Sequence, residues 1–265
     1  MQSFQVFPAF DKEMRGKLRG KLCVILGKSG VKKSLFAQNI VYQNIFDHQA
    51  RCIYSTMEMS ASQLNSRFID MHYTDASCNG SYLLERFERE RPGMAREFIE
   101  RHLAPVFSDK LLITQNTGLQ VVDYDLMLEK ASVQYGPVDI LVPDGLSMMG
   151  GDGTETELVN RHTKELKQLA IKWNIFIPLI VHVTKEAERD TRDLSSYARG
   201  SEKIMDNCDF YVSLSLSRDS FSKDEIFQKD IGYARLTNKR GSGNTIDVVY
   251  DFDDKRLLMT EQQHT

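Results

Sequence analysis

Short apolar runs alternate with longer amphipathic segments along most of the chain, and that alternation limits how it can fold. "LCVIL" (Leu22 to Leu26) has the length and β-branched content of a buried strand. "KSLFAQNIVYQNIFDH" (Lys33 to His48) follows, with Leu35, Phe36, Ile40, Val41 and Ile45 at helical spacing. "CIYST" (Cys52 to Thr56) is a second strand, and "SASQLNSRFIDMHY" a helix with Ser60 as its N-cap. The strand "LLIT", the helix "VVDYDLMLEKASVQYG" ended by Gly136, and the strand "DILVPD" come next. A long helix, "TETELVNRHTKELKQLAIKWN", leads to the strand "FIPLIVHV". "FYVSLSL", "GYARLTN" and "TIDVVYDFD" alternate as antiparallel strands and end the chain. Residues 74 to 107 read as charged surface helices broken at Pro92 and Gly93. Repeated strand–helix units dictate an α/β fold: a mainly parallel twisted sheet flanked by helices, with the closing antiparallel strands on one edge. With no internal repeat or low-complexity linker, residues 1–265 are expected to form a single domain.

Composition removes several function classes. The net charge of -3 argues against a protein that coats nucleic acid through bulk positive charge, while leaving room for local basic loops. No apolar run approaches the length of a membrane helix, and "MQSFQVFPAF" has no signal-peptide layout, so no membrane partner and a cytoplasmic location are expected. Cys23, Cys52, Cys78 and Cys208 are far apart and read as reduced core thiols rather than zinc ligands.

The junction of the first strand and helix, "GKSGVKKS", carries the clearest chemistry. It approaches the phosphate-loop pattern G-x-x-x-x-G-K-[ST], with Gly27, Lys33 and Ser34 in register. Phosphates need backbone N–H groups converging on one cavity, a lysine on their outer oxygens and a hydroxyl on Mg²⁺. Gly27 and Gly30 permit the tight turn; Ser29, Val31, Lys32 and Leu35 complete the lining. Lys32 stands where the pattern has glycine. If that position needs φ > 0, the lysine costs roughly 1–2 kcal/mol. Its side chain either adds charge beside the phosphates or points outward, and a loop that has lost nucleotide binding is the alternative reading.

Further residues fit phosphoryl transfer. Glu58 closes the strand "CIYST" region, where a carboxylate can polarise attacking water; it can equally be a helix-entry acid. Asp144 ends "DILVPD", where a carboxylate reaches Mg²⁺, although many buried strands end in Asp. Pro143 is unusual within a central strand. The stretch "GGDGTE" is glycine-rich and reads as mobile.

Taken in order, these segments resemble the RecA-like ATPase domain of DnaB-family replicative helicases. "GKSGVKKSLFAQNI" is similar to the family's phosphate loop and helix, and "STMEMSASQLNSRF" to the segment bearing its catalytic glutamate and base-proximal arginine, here Glu58 and Arg67. "LLITQNTGLQVVDYDLMLEKASVQYGPVDILVPD" is similar to the strand–helix–strand ending in the Mg²⁺-linked aspartate, here Asp144. "IFIPLIVHVTKEAERD" resembles the sensor strand, placing His182 at the γ-phosphate sensor position. "ARGSEKIMDNCDFYVSL" is similar to the DNA-facing loop and helix, and "ARLTNKRGSGNTIDVVYDF" to the terminal hairpin with its arginine finger. The resemblance implies ATP and Mg²⁺ as cofactors, bound between subunits of a hexameric ring. It implies Lys33, Glu58, Asp144, His182 and Arg240 as catalytic residues, Ser34 and Asp144 as metal-linked, and Arg67, Lys239 and Arg240 around the nucleotide. Arg199, Gly200, Ser201 and Lys203 would grip single-stranded DNA by its phosphates.

The sequence departs from the family in lacking room for the N-terminal collar domain and linker helix, in Lys32, and in Asn238 where the family often has lysine. A separate collar, loader or primase is then expected, and the short form suits a phage or mobile element. The implied function is a DnaB-like helicase motor on single-stranded DNA in replication. A recombination or loading ATPase that does not unwind, and a non-catalytic assembly subunit, are the alternatives.

Overall fold

The central strands form where buried residues run almost without interruption, because both faces of the sheet are covered there. In the first strand, β1 (Lys21–Gly27), every residue after Lys21 is buried. Cys23 and Ile25 face one core, and Leu22, Val24 and Leu26 face the other. The computed structural model describes residues 7–14, 17–77, 92–93, 97, 100–101, 104–183, 202–218, 230–253 and 257–262.

Within these residues a nine-stranded sheet has the order β3-β2-β4-β5-β1-β6-β7-β8-β9. Its further strands are β2 (Cys52–Thr56), β3 (Leu111–Gln115), β4 (Ile140–Asp144), β5 (Phe176–His182), β6 (Phe210–Arg218), β7 (Asp230–Asn238), β8 (Thr245–Asp253) and β9 (Leu258–Glu261). From β3 to β6 all neighbours are parallel; from β6 to β9 they are antiparallel. The parallel sheet with an antiparallel extension matches the sequence expectation, with two differences. The strand "FYVSLSL" is antiparallel only to β7 and pairs parallel with central β1. A fourth strand, β9, follows the three expected ones and forms the edge.

The described helices are α1 (Pro8–Met14), α2 (Lys33–His48), α3 (Ala61–Ser77), α4 (Ala104–Phe107), α5 (Val121–Tyr135), α6 (Glu155–Trp173) and α7 (Glu202–Asn207). α2 and α3 pack on one face with α1, whose Phe7–Phe10 corner meets Phe36 and Tyr250. α5, α6 and α7 cover the other face. Ser60 caps α3 as expected: its hydroxyl accepts from Gln63 N–H at 3.1 Å, and Gln63 Oε1 accepts from Ser60 N–H at 3.0 Å. Thr154 and Glu157 repeat that arrangement at α6.

Pro143 lies inside the sheet, opposite Ser55 on β2. The Asp144 carbonyl accepts from Met57 N–H on the β2 side. By strand alternation the Pro143 nitrogen therefore faces β5, so the missing donor is taken from that seam. Most of residues 74 to 107 fall outside the description; Pro92 and Gly93 form a turn.

Candidate nucleotide site

Parallel strands bring their carboxyl ends to one edge, and the crevice there is where open α/β sheets hold ligands. Gly27, Thr56, Asp144 and His182 end β1, β2, β4 and β5 on that edge. The loop from Gly27 to α2 lies across it. Gly27 has no room for a side chain: a Cβ would come 2.4 Å from Val31 Cγ2 and 3.1 Å from the Leu214 carbonyl oxygen. Gly30 is needed for conformation instead, at φ 85°. Val31 and Leu35 turn their side chains into the core, leaving their backbone as their contribution to a ligand. Ser29 is exposed at the loop tip.

Lys32 adopts φ 65° and ψ 34°, the left-handed conformation that the missing glycine would have supplied. Its ammonium lies 5.2 Å from the centre of the Phe252 ring on β8. A cation over an aromatic face is worth about 0.5–1 kcal/mol at such a site, which offsets part of the roughly 1–2 kcal/mol of backbone cost. Of the two directions open to this side chain, it takes the one toward the terminal strands.

Lys33 is buried, and its ammonium donates to the carbonyls of Gly27 and Lys28, both at 2.8 Å. Burial lowers its pKa to about 8, against the opposing influence of Glu58 and Asp144. Asp144 is almost fully buried. Ser34 Oγ donates to its Oδ1 at 3.3 Å, and Tyr54 Oη donates to its Oδ2 at 2.8 Å. Burial pushes the Asp144 carboxyl above its usual range, while the two hydroxyl donors act against it. Glu58 stands at the mouth of the crevice, its Oε1 3.0 Å from His182 Nε2. That hydrogen bond is the main reason its carboxyl is held below the usual range.

Lys33, Ser34, Asp144, Glu58 and His182 therefore lie together, brought from four separate strand ends. Arg67 is on α3, where its Nη1 lies 3.9 Å from Met59 Sδ. Lys239 and Arg240 lie elsewhere. Register pairs Asn238 with Phe210, and Phe210 with Cys23, so the β7–β8 turn sits at the amino end of the parallel strands. Gly27 is level with Leu214 at the other end. Arg240 thus does not belong to the phosphate loop of its own chain. Its guanidinium donates to the Asp206 carbonyl, and Lys239 Nζ pairs with the Asp206 carboxylate at 3.0 Å. Arg199, Gly200 and Ser201 lie outside the described residues, and Lys203 is placed by its backbone alone, in α7. The "GGDGTE" stretch is anchored at its first glycine: Gly150 N–H donates to the Leu119 carbonyl at 3.0 Å, and His162 Nε2 to the Gly150 carbonyl at 2.9 Å.

Tyr54 was not among the expected site residues. Its signal was a phenol within a strand otherwise destined for burial, since a buried hydroxyl requires a partner. The pairing of Glu58 with His182, 124 positions apart, had no local signal.

Hard oxygen donors, a retracted lysine and a tight turn into a helix N-terminus suit a triphosphate with Mg²⁺, which takes few protein ligands and shares the phosphates. Among the described residues no cluster of three or more His, Cys, Asp or Glu is placed to hold a metal unaided.

Comparison with known proteins follows the same lines. The family model of the DnaB-like helicase C terminal domain matches residues 5–259. No curated protein matches the sequence. Among solved structures, one described as an ATPase domain superposes with a TM-score of 0.78 at 16% identity, covering 97% of this chain and 90% of that one. A DnaB-like replicative helicase, described with its interactions with primase, gives 0.77 at 16% identity, covering 97% of this chain and 61% of that one. A KaiC-like protein, PH0186 from Pyrococcus horikoshii OT3, gives 0.60 at 15% identity, covering 97% and 96%. At these identities the superpositions bear on fold, which is that of RecA-like ATPases of the DnaB and KaiC kind.

Proposed function

The chain belongs to the family of DnaB-like helicase C-terminal domains, and we propose that it is an ATP-driven motor acting on single-stranded DNA in replication. The observation that carries this reading is the meeting of Lys33, Ser34 and Asp144 with the Glu58–His182 pair at one edge of the sheet. ATP with Mg²⁺ supplies the transferable γ-phosphoryl group and the charge that polarises it. Lys33 exchanges its two loop carbonyls for phosphate oxygens. Ser34 and Asp144 are the residues that would hold Mg²⁺, which would supply the charge that polarises the phosphates. Glu58 orients water and takes its proton, and His182 holds Glu58 until phosphate competes for the imidazole. Arg240 faces away from its own loop, which supports its action on the site of a neighbouring copy. Such a finger is worth about 10³–10⁵ in rate in related phosphoryl transfer.

A ring of copies, most simply six, would close these sites and surround one DNA strand. Arg199, Gly200, Ser201 and Lys203 are the proposed phosphate contacts, without base reading. We read the 265 residues as one such ATPase domain, with primase or a loader as candidate partners. The left-handed conformation of Lys32, which a glycine would take there, supports a working loop over a decayed one.

ATP turnover and strand displacement, each measured with and without single-stranded DNA, test the reading. A motor shows DNA-stimulated turnover and displacement. Stimulated turnover without displacement makes the chain a non-unwinding ATPase, and neither activity removes the catalytic reading.

A further inference from the structure

Asp144 has a second partner that the phosphate-loop chemistry does not call for. We infer that Tyr54 is a positioning residue for metal binding: its hydroxyl fixes the Asp144 carboxylate so that Ser34 is free to turn from Asp144 to Mg²⁺. The inference rests on the proposed nucleotide site and goes one residue beyond it.

The geometry is set by the sheet. Tyr54 on β2 is in register with Val142 on β4, and Asp144 lies two residues further along on the same face. A tyrosine is long enough to span that diagonal, and its hydroxyl meets Oδ2 at 2.8 Å. The same hydroxyl lies 3.4 Å from the Ser34 carbonyl, so it touches β4 and the first turn of α2 at once. Tyr54 has no exposed surface, and its ring packs edge-on to Phe68 at 6.1 Å, which leaves it no alternative rotamer into solvent.

Among the described residues, the side-chain donors to Asp144 are Tyr54 and Ser34. Their bonds are unequal. The Ser34 bond is long, at 3.3 Å, and a metal ion that takes the serine oxygen competes with it. The Tyr54 bond is short and buried, and remains. A buried carboxylate stripped of both donors would lose its fixed orientation, and metal affinity would fall. Outer partners of metal ligands commonly carry about 10–100-fold in metal affinity.

The test is a titration of a fluorescent ADP analogue against Mg²⁺ with wild type, Tyr54→Phe, Asp144→Asn and the double variant. Tyr54→Phe should keep its Mg²⁺-free nucleotide affinity within about twofold and need about tenfold more Mg²⁺ for tight binding. On the Asp144→Asn background the same change should add no further shift. A Mg²⁺ requirement unaltered by Tyr54→Phe, or a further shift of the same size when Tyr54→Phe is added to Asp144→Asn, overturns the inference while leaving the nucleotide site intact. A wild type that binds no nucleotide overturns both. Should Tyr54→Phe fail to fold, 3-fluorotyrosine at position 54 reads the contact in the folded chain. Its fluorine resonance should move when Mg²⁺ joins bound ADP; no movement contradicts the role.

Discussion

Lys33 gives the site a pH signature. Its folded pKa of about 8 lies below its ordinary value of 10.5 because burial disfavours the charged form. Folding therefore costs stability below about pH 8, and the cost is relieved as pH rises from there toward 10.5. Nucleotide binding has the opposite dependence, since phosphates need the ammonium. Affinity for an ADP analogue should be level from pH 7 to about 8, then fall by up to about tenfold per pH unit as the free lysine loses its proton. Unchanged affinity at pH 9.5 would mean that Lys33 does not meet the phosphates. Lys33, Ser34 and Asp144 were legible in the sequence because phosphate and metal chemistry restrict the residue types and their spacing. Tyr54 was not, because its role depends on the β2–β4 register, which no local pattern encodes.

Among elements, the long uninterrupted runs were the easiest to foresee, since burial on both faces writes itself as β-branched and aliphatic sequence. Short elements escaped for the same reason. In α1, Phe10 and Met14 are buried within seven residues, too few turns to establish a period. β9 spans four residues at the sheet edge. The β7–β8 hairpin was foreseen, but what holds its turn was not. Asp209, before β6, accepts from Lys167 Nζ at 2.6 Å and Lys21 Nζ at 3.1 Å, and its carbonyl accepts from the N–H groups of Lys239 and Arg240. Glu13 on α1 accepts from Asn238 and Asn244 of the same turn. Burial alone would raise the Asp209 carboxyl, but its hydrogen bonds and Lys167 hold it below the usual range. Its contribution is present above the ordinary carboxylate pKa and lost as pH falls through the lowered one. Asp209→Asn leaves Lys167 buried without its counter-charge. It should cost about 3–5 kcal/mol in urea unfolding at neutral pH. A loss below about 1 kcal/mol would show that the pair is not what ties α6 to β6.

At the scale of the whole molecule, the sheet separates the two halves of the proposed phosphoryl-transfer site. The phosphate loop, Glu58 and Asp144 occupy the carboxyl edge, and Arg240 occupies the amino edge beyond Asn238. On the proposed function, one copy would grip a triphosphate but could not bring its own Arg240 to it, so turnover would belong to an assembly. The sequence carried both halves as motifs; that they face opposite ways emerges only from strand order and register. The most direct test is ATP turnover in mixtures of Glu58→Gln and Arg240→Ala chains. Each variant alone should be nearly inactive. Mixed rings contain interfaces with an intact Glu58 from one copy and an intact Arg240 from the next, so turnover should rise to a maximum at intermediate ratios. Mixtures no more active than either variant alone, at every ratio, would contradict a site completed by the neighbouring chain.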